Sequence, residues 1–214
     1  MGLIIFTNFS VIFLYFKNYL KNKGTIIDER ILYLWLSIVS SILYTWIYFR
    51  YGFNIDFVFL IFLTSILILI MFVDLMEMHI PDSLLLWING IIIIYHILNY
   101  LLHHIRPNIL FYLSGALVGG LIFLFILLVS RGGMGEGDLL LIASLGLVLG
   151  PYLVLLNILL SFVLGSLISI FLLLTEIKNQ KDPIPFGPFI IIAFFISLLF
   201  GENIINWYLN ILIT

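Results

Sequence analysis

Residues 57–74 read FVFLIFLTSILILIMFVD, seventeen uncharged residues closed by Asp74. A helix needs about 20 mostly apolar residues to cross the hydrocarbon core of a bilayer, and this run with its flanks has that length. Comparable uncharged windows occupy 1–16, 31–49, 83–102, 107–130, 139–175 and 183–201. Of the whole chain, 64% is hydrophobic and 9% charged, against about 45–50% and about 25% in soluble domains. No soluble fold of 214 residues hides that much apolar surface, so the solvent is largely lipid. Lipid leaves backbone polar groups nothing to bond except one another, and long apolar runs satisfy that demand as helices. The window 139–175 is too long for one span. Gly150-Pro151 interrupts it, because proline lacks the helix donor and its ring clashes with the preceding turn. Dividing it there predicts a short helix near 138–149 and a full one near 152–175. The expectation is an all-α polytopic membrane protein with about eight transmembrane helices, residues 1–214 forming a single integral-membrane domain.

Basic residues orient such a chain, because cytoplasmic loops carry the excess of Lys and Arg. With the N-terminus outside, the inside loops hold Lys17, Lys21, Lys23, Arg30, Arg131, Lys178 and Lys181, and the outside loops hold Arg50 and Arg106. That arrangement puts segments 74–82, 131–138 and 176–187 on the cytoplasmic side. It depends on the short helix near 138–149 crossing the membrane. The first 16 residues lack a basic stretch before them and a small-residue cleavage site after them, which reads as a retained span. The tail 203–214, with Trp207 and Tyr208, is expected at the membrane interface. The lipid bilayer is thus one partner, and no basic stripe points to nucleic acid. The chain has no cysteine, which excludes disulfides, Cys-based metal sites and thiol nucleophiles.

Two acids stand at the ends of apolar runs. Asp74 closes one and Asp138 opens another, both on the same predicted membrane face. A carboxylate beside lipid is costly, which makes such residues functional candidates; an ordinary loop acid or helix cap is the competing explanation. Asp138 ends the stretch Gly132-Gly133-Met134-Gly135-Glu136-Gly137-Asp138. Each glycine costs a helix about 1 kcal/mol relative to alanine, so this stretch unwinds or admits another chain at close range. An extended substrate bonded along an exposed backbone needs that freedom; a flexible interhelical loop is the plainer alternative. After Asp74, Pro81 stops any continuing helix, and Asp82 or Ser83 is placed to cap the next, beginning at Leu84. Glu77 is either solvated or available to a basic group on a substrate.

These segments resemble type IV prepilin peptidases. Val73-Asp74 followed by Ile80-Pro81-Asp82 is similar to that family's first aspartate motif, and Gly135-Glu136-Gly137-Asp138 matches its Gly-x-Gly-Asp motif, with Gly133-Met134 before it. Ile184-Pro185-Phe186-Gly187-Pro188-Phe189 resembles the segment that opens its last membrane helix. The three occur in the family's order within residues 57–201. The resemblance implies a membrane aspartic endopeptidase. Such an enzyme removes the basic leader from prepilin-like or pseudopilin substrate proteins at the cytoplasmic membrane face, just before their hydrophobic helix. Asp74 and Asp138 carry over as the catalytic acids. Glu77, Gly135, Glu136, Gly137, Pro185, Phe186 and Gly187 are the candidates for contacting substrate or shaping the cleft. Two close carboxyls share one proton, so one activates water while the other polarises the scissile carbonyl. No metal or cofactor is required.

The chain departs from the family pattern in three places. Many members carry two Cys-x-x-Cys pairs in a domain after the first helix, where residues 17–30 here have none. The family's N-terminal Gly-Ser-Phe-Leu-Asn-like stretch is not evident, and Leu140 stands where a Lys often follows the second aspartate. Many members also methylate the new N-terminus with S-adenosylmethionine; that activity is left open for this chain. A presenilin-like protease shares Gly-x-Gly-Asp, but no Pro-Ala-Leu occurs here. Three other readings stand beside the peptidase: a metal hydrolase ligated through Asp74, Glu77 and His79, a proton-coupled transporter using the boundary acids, and a membrane subunit without catalysis.

Overall fold

The structure, a computed structural model, describes residues 29–104, 108–130, 133–179 and 182–213. Among these the chain is all-α. Six helices follow one another: α1 (Glu29–Tyr51), α2 (Ile55–Glu77), α3 (Asp82–His103), α4 (Ile109–Ser130), α5 (Glu136–Leu174) and α6 (Gly187–Ile213). Helices α2 to α6 are long and apolar enough to cross a membrane. The expected span at 1–16 and the basic residues Lys17, Lys21 and Lys23 lie outside the described residues.

Within the described residues the expected apolar windows are helical, with two adjustments at their ends. The division expected at Gly150-Pro151 is present: α5 consists of two helical stretches, 136–149 and 151–174, that meet at Gly150. Gly150 alone leaves helical geometry, at φ 72° and ψ 179°, and the two stretches fold back on each other, so that a methyl on Gly119 of α4 would stand 3.2 Å from the Ile142 carbonyl oxygen and 3.1 Å from the Val154 side chain. Pro151 starts the second half of α5 as a first-turn proline, where its missing N–H is not needed. Helix α3 begins at Asp82 rather than Leu84, because Pro81 itself initiates it: its carbonyl accepts from the Leu84 amide at 3.0 Å. The tail beyond 203 continues α6 to Ile213, with Trp207 and Tyr208 exposed on it.

The described residues divide into two compact units, one of those up to 70 together with 90–104, the other of 71–89 together with those from 108 onward. In the first, Ile47, Leu63 and Leu67 are fully buried. Its polar side chains are paired: Tyr44 bonds Ser65, and the Tyr95 hydroxyl donates to Asp56 at 2.7 Å while its ring stacks on Phe59. Pairing matters because an unsatisfied polar group away from water costs about 1–3 kcal/mol.

In the second unit α4 packs on α5 and α5 on α6. Small residues bring α4 and α5 into backbone contact. A methyl group built on Gly146 would stand 2.6 Å from the Gly115 carbonyl carbon. Membrane helices gain little hydrophobic drive from each other, so close approach at small residues supplies the attraction. Gly150 is confined twice over, by its left-handed φ and by the Phe111 ring lying against it. Antiparallel to this, α6 lays Phe189 beside Gly165 and Gly201 beside Leu153. That packing holds the start of α6 where the site lies.

Candidate active site

Three helix ends of the second unit meet around two carboxyls. Helix α2 delivers Asp74 in its last turn, and Asp138 sits in the first turn of α5. Both are buried, at 4% and 8% exposure, although they are charged residues at helix ends. The carboxyls are close enough to interact electrostatically, although 63 residues separate them in sequence. The third end is that of α6, where the Gly187 amide donates to Asp74 Oδ2 at 2.9 Å.

Local sequence explains each piece. Helix α2 ends at Glu77 because Met78 turns left-handed, at φ 52°, and Pro81 follows. The Met78 amide still reaches back to the Asp74 carbonyl at 2.8 Å, closing the last turn around the acid. Helix α5 starts only at Glu136, after Gly135, whose backbone is extended and faces the Asp138 carboxyl. Pro183 and Pro185 keep the segment before α6 from joining it, and Pro188 is tolerated inside its first turn. Phe186 turns into an aromatic cluster with Phe123, Phe162 and Phe189. Anchored there, it fixes the neighbouring amide of Gly187.

Ile80 ties the three ends together. It is 2% exposed and lies against both Gly137 and Gly187. A methyl on Gly137 would come 2.9 Å from Ile80 Cβ. One on Gly187 would come 2.6 Å from Asp74 Oδ2 and 3.4 Å from Ile80 Cδ1. Both glycines are therefore required by close approach rather than by backbone conformation.

Of the residues expected from sequence, Asp74, Asp138, Gly137 and Gly187 come together, with Gly135 beside Asp138. Pro185 is half-buried before α6. Glu77 is half-buried at the end of α2, and Glu136 is exposed on the first turn of α5, where the positive end of the helix dipole favours an acid. His79, exposed on the turn after α2, is near enough for its charge to reach Asp74. Among the described residues no three of His, Cys, Asp and Glu gather in a metal-binding arrangement. Sequence reasoning missed the donation from Gly187 and the wedge formed by Ile80. The apolar residue between His79 and Pro81 was the available signal for the wedge.

The arrangement holds two carboxyls near each other in a buried pocket of backbone and apolar side chains. Such a pair can hold one proton and orient a water between an acid and a base.

The model of the type IV leader peptidase family matches residues 61–170, which include both acids. The chain is 35% identical to a prepilin leader peptidase/N-methyltransferase of Aeromonas salmonicida over 148 residues, 69% of this chain and 51% of that one. A protein of the same description from Legionella pneumophila is 32% identical over 175 residues, 82% of this chain and 60% of that one. One from Pseudomonas aeruginosa is 40% identical over 88 residues, 41% of this chain and 30% of that one. The chain thus spans about half the length of the Aeromonas relative. No solved structure matches.

Proposed function

The chain belongs to the type IV leader peptidase family, and on that premise we propose that it is a membrane aspartic endopeptidase with Asp74 and Asp138 as its catalytic pair. The observation that carries this reading is the pairing of two buried carboxyls from distant helix ends, one of them fastened by the Gly187 amide. One carboxyl takes a proton from water as it attacks the scissile carbonyl. The other, protonated, donates to the carbonyl oxygen; the first then passes the proton taken from water to the leaving nitrogen, and the second recovers its own as the new carboxyl group forms. The bond from Gly187 occupies one oxygen of Asp74 and orients the other. Glycines at 135 and 137 leave room for an extended substrate backbone. Glu77 and Glu136, at the ends of α2 and α5, are the residues we assign to a basic segment of the substrate.

The substrate class is a prepilin-like or pseudopilin precursor with a basic leader, as the names of the relatives suggest. The basic residues of the loops favour eight spans with the N-terminus outside, in the inner or plasma membrane, and a site facing the cytoplasm. The proposal is confined to peptide-bond hydrolysis.

The test is coexpression with a prepilin-like substrate, with leader loss followed on a gel. The chain is expected to shorten the substrate, and Asp74→Asn and Asp138→Asn are each expected to leave it uncut. Processing at the normal rate by either variant sinks the dyad. A proton flux linked to a solute, without any cleaved product, would favour a transporter instead.

A further inference from the structure

A groove of about 350 Å³ opens on the second unit between α3, α4 and α5. One wall is Asp82, Leu85, Leu86 and Asn89 of α3; the other is Leu140, Ala143, Ser144 and Leu147 of α5. Each wall repeats at i, i+3, i+4 and i+7, the spacing of one helix face. The groove therefore runs along both helices for two turns, about 10 Å. Ala116 of α4 lies at its floor. Leu86 and Leu140 form exposed lips, 72% and 46% accessible. Such a trough takes the ridge of side chains along one face of a helix.

We propose that this groove docks the apolar spanning helix of the substrate, lying parallel to α3 and α5 with its N-terminal end at Asp82. The inference rests on the peptidase reading above and adds the place where the substrate is held. Three observations select a protein helix with a basic leader. The mouth carries the exposed carboxylate of Asp82, which suits a basic segment entering from the cytoplasm. The mouth is also close to the site in the chain: Asp82 follows Ile80-Pro81, and Ile80 packs on Gly137 and Gly187. Finally, the groove has one polar rung at depth. The Asn89 side-chain amide donates to the Leu85 carbonyl at 2.9 Å and to Ser144 Oγ at 3.0 Å. Both its hydrogens are then used, and Oδ1 is left as an acceptor for a donor on the occupant. A lipid tail has no such donor, whereas a helix side chain can supply one.

The geometry also specifies a path. At about 100° per residue, Leu140, Ala143, Ser144 and Leu147 lie on the side of α5 turned away from Asp138. A substrate must cross the start of α5 to reach the acids, and there it meets Gly135 and Gly137, which carry no side chains. Crossing a helix about 10 Å wide takes about three extended residues at roughly 3.3 Å each. The cleaved bond should thus lie about three residues before the docked helix begins.

The absence of native cysteine makes the test direct. The Asp138→Asn chain, holding a single cysteine at Leu140 or Leu147, is placed in vesicles with a synthetic substrate. That substrate has a basic leader, a 20-residue apolar helix (about one span) and one cysteine moved along it. Leu140→Cys should cross-link to a position about three to five residues after the cleaved bond, and Leu147→Cys about seven residues further on. Leu128→Cys, exposed on α4 outside the groove, should not cross-link. In the otherwise native chain, Leu140→Trp should raise KM for this substrate about tenfold. It should leave kcat/KM unchanged for a truncated substrate lacking the helix. Asn89→Leu should raise KM about fivefold, the worth of one hydrogen bond near 1 kcal/mol. Cleavage by the native chain with no preference of Leu140→Cys over Leu128→Cys means the groove holds lipid, and overturns the docking proposal alone. Failure of the native chain to cleave any such substrate, with no cross-link, overturns the peptidase reading and the docking proposal together.

Discussion

Asp74 and Asp138 are chemically identical and sit at opposite kinds of helix end. Asp138 lies in the first turn of α5, where free amides and the positive end of the dipole favour a carboxylate. Its backbone contacts are local: its own amide bonds the Gly135 carbonyl at 3.2 Å. Asp74 lies in the last turn of α2, where the dipole opposes a negative charge. It is compensated from far away in sequence, by the amide of Gly187 at 2.9 Å. One acid is held by its own helix and the other by the start of α6. Disturbing α6 should therefore disable Asp74 far more than disturbing the glycine loop disables Asp138.

The largest expected effects test whether the two acids act as a pair. Asp74→Asn and Asp138→Asn should each lower kcat/KM by about 10²–10⁴-fold, the usual contribution of an acid–base group. The double variant should lose little more, since residues acting as a unit are not additive. Losses that multiply would separate the acids. For the same reason kcat/KM should fall on both the acid and the alkaline side of an optimum. A profile with a single limb would leave only one acid in the reaction.

Gly187→Ala comes next. Its methyl would stand 2.6 Å from Asp74 Oδ2, so the carboxyl must swing off the amide. The expected loss is about 10²-fold in kcat, as for a misplacement of about 1 Å. Gly135→Ala brings its methyl only to 3.4 Å from Asp138 Oδ2, an ordinary contact, and should cost less than about threefold in kcat, the loss of room for the substrate appearing in KM. Equal losses in the two variants would remove the asymmetry between the acids.

Gly137→Ala falls between function and stability. The methyl meets Ile80 Cβ at 2.9 Å, and a Cβ cannot rotate away. Overpacking of this kind costs about 1–3 kcal/mol, visible as a lower Tm in detergent. Smallest is Glu136→Gln, which removes one exposed charge from the first turn of α5 and should cost about 0.3–1 kcal/mol. An unchanged KM for a substrate with a basic leader would remove Glu136 from the contact assigned to it.

Much of the helical framework was legible because its causes are local. Uncharged runs gave the helices, Pro81 marked the division between α2 and α3, and Gly150-Pro151 marked the turn between the two stretches of α5. The ends were legible only to within a few residues. Pro81 proved to start α3 rather than merely precede it. The candidate acids were legible from charge at the edge of apolar runs. What escaped was every contact between elements: the amide of Gly187 on Asp74, Ile80 between two glycines, and Asn89 bonded to Ser144. No short-range pattern encodes a bond spanning 113 residues.

The amino-acid sequence by itself determined that this protein is helical and suited to lipid, because a backbone in hydrocarbon must satisfy its own hydrogen bonds within each segment. It also placed acids and glycines at the ends of those segments. Only the tertiary structure decided that Asp74 meets Asp138 and takes its partner from Gly187. Those meetings depend on how whole helices pack, and packing is set by side chains and backbone brought together from distant parts of the chain.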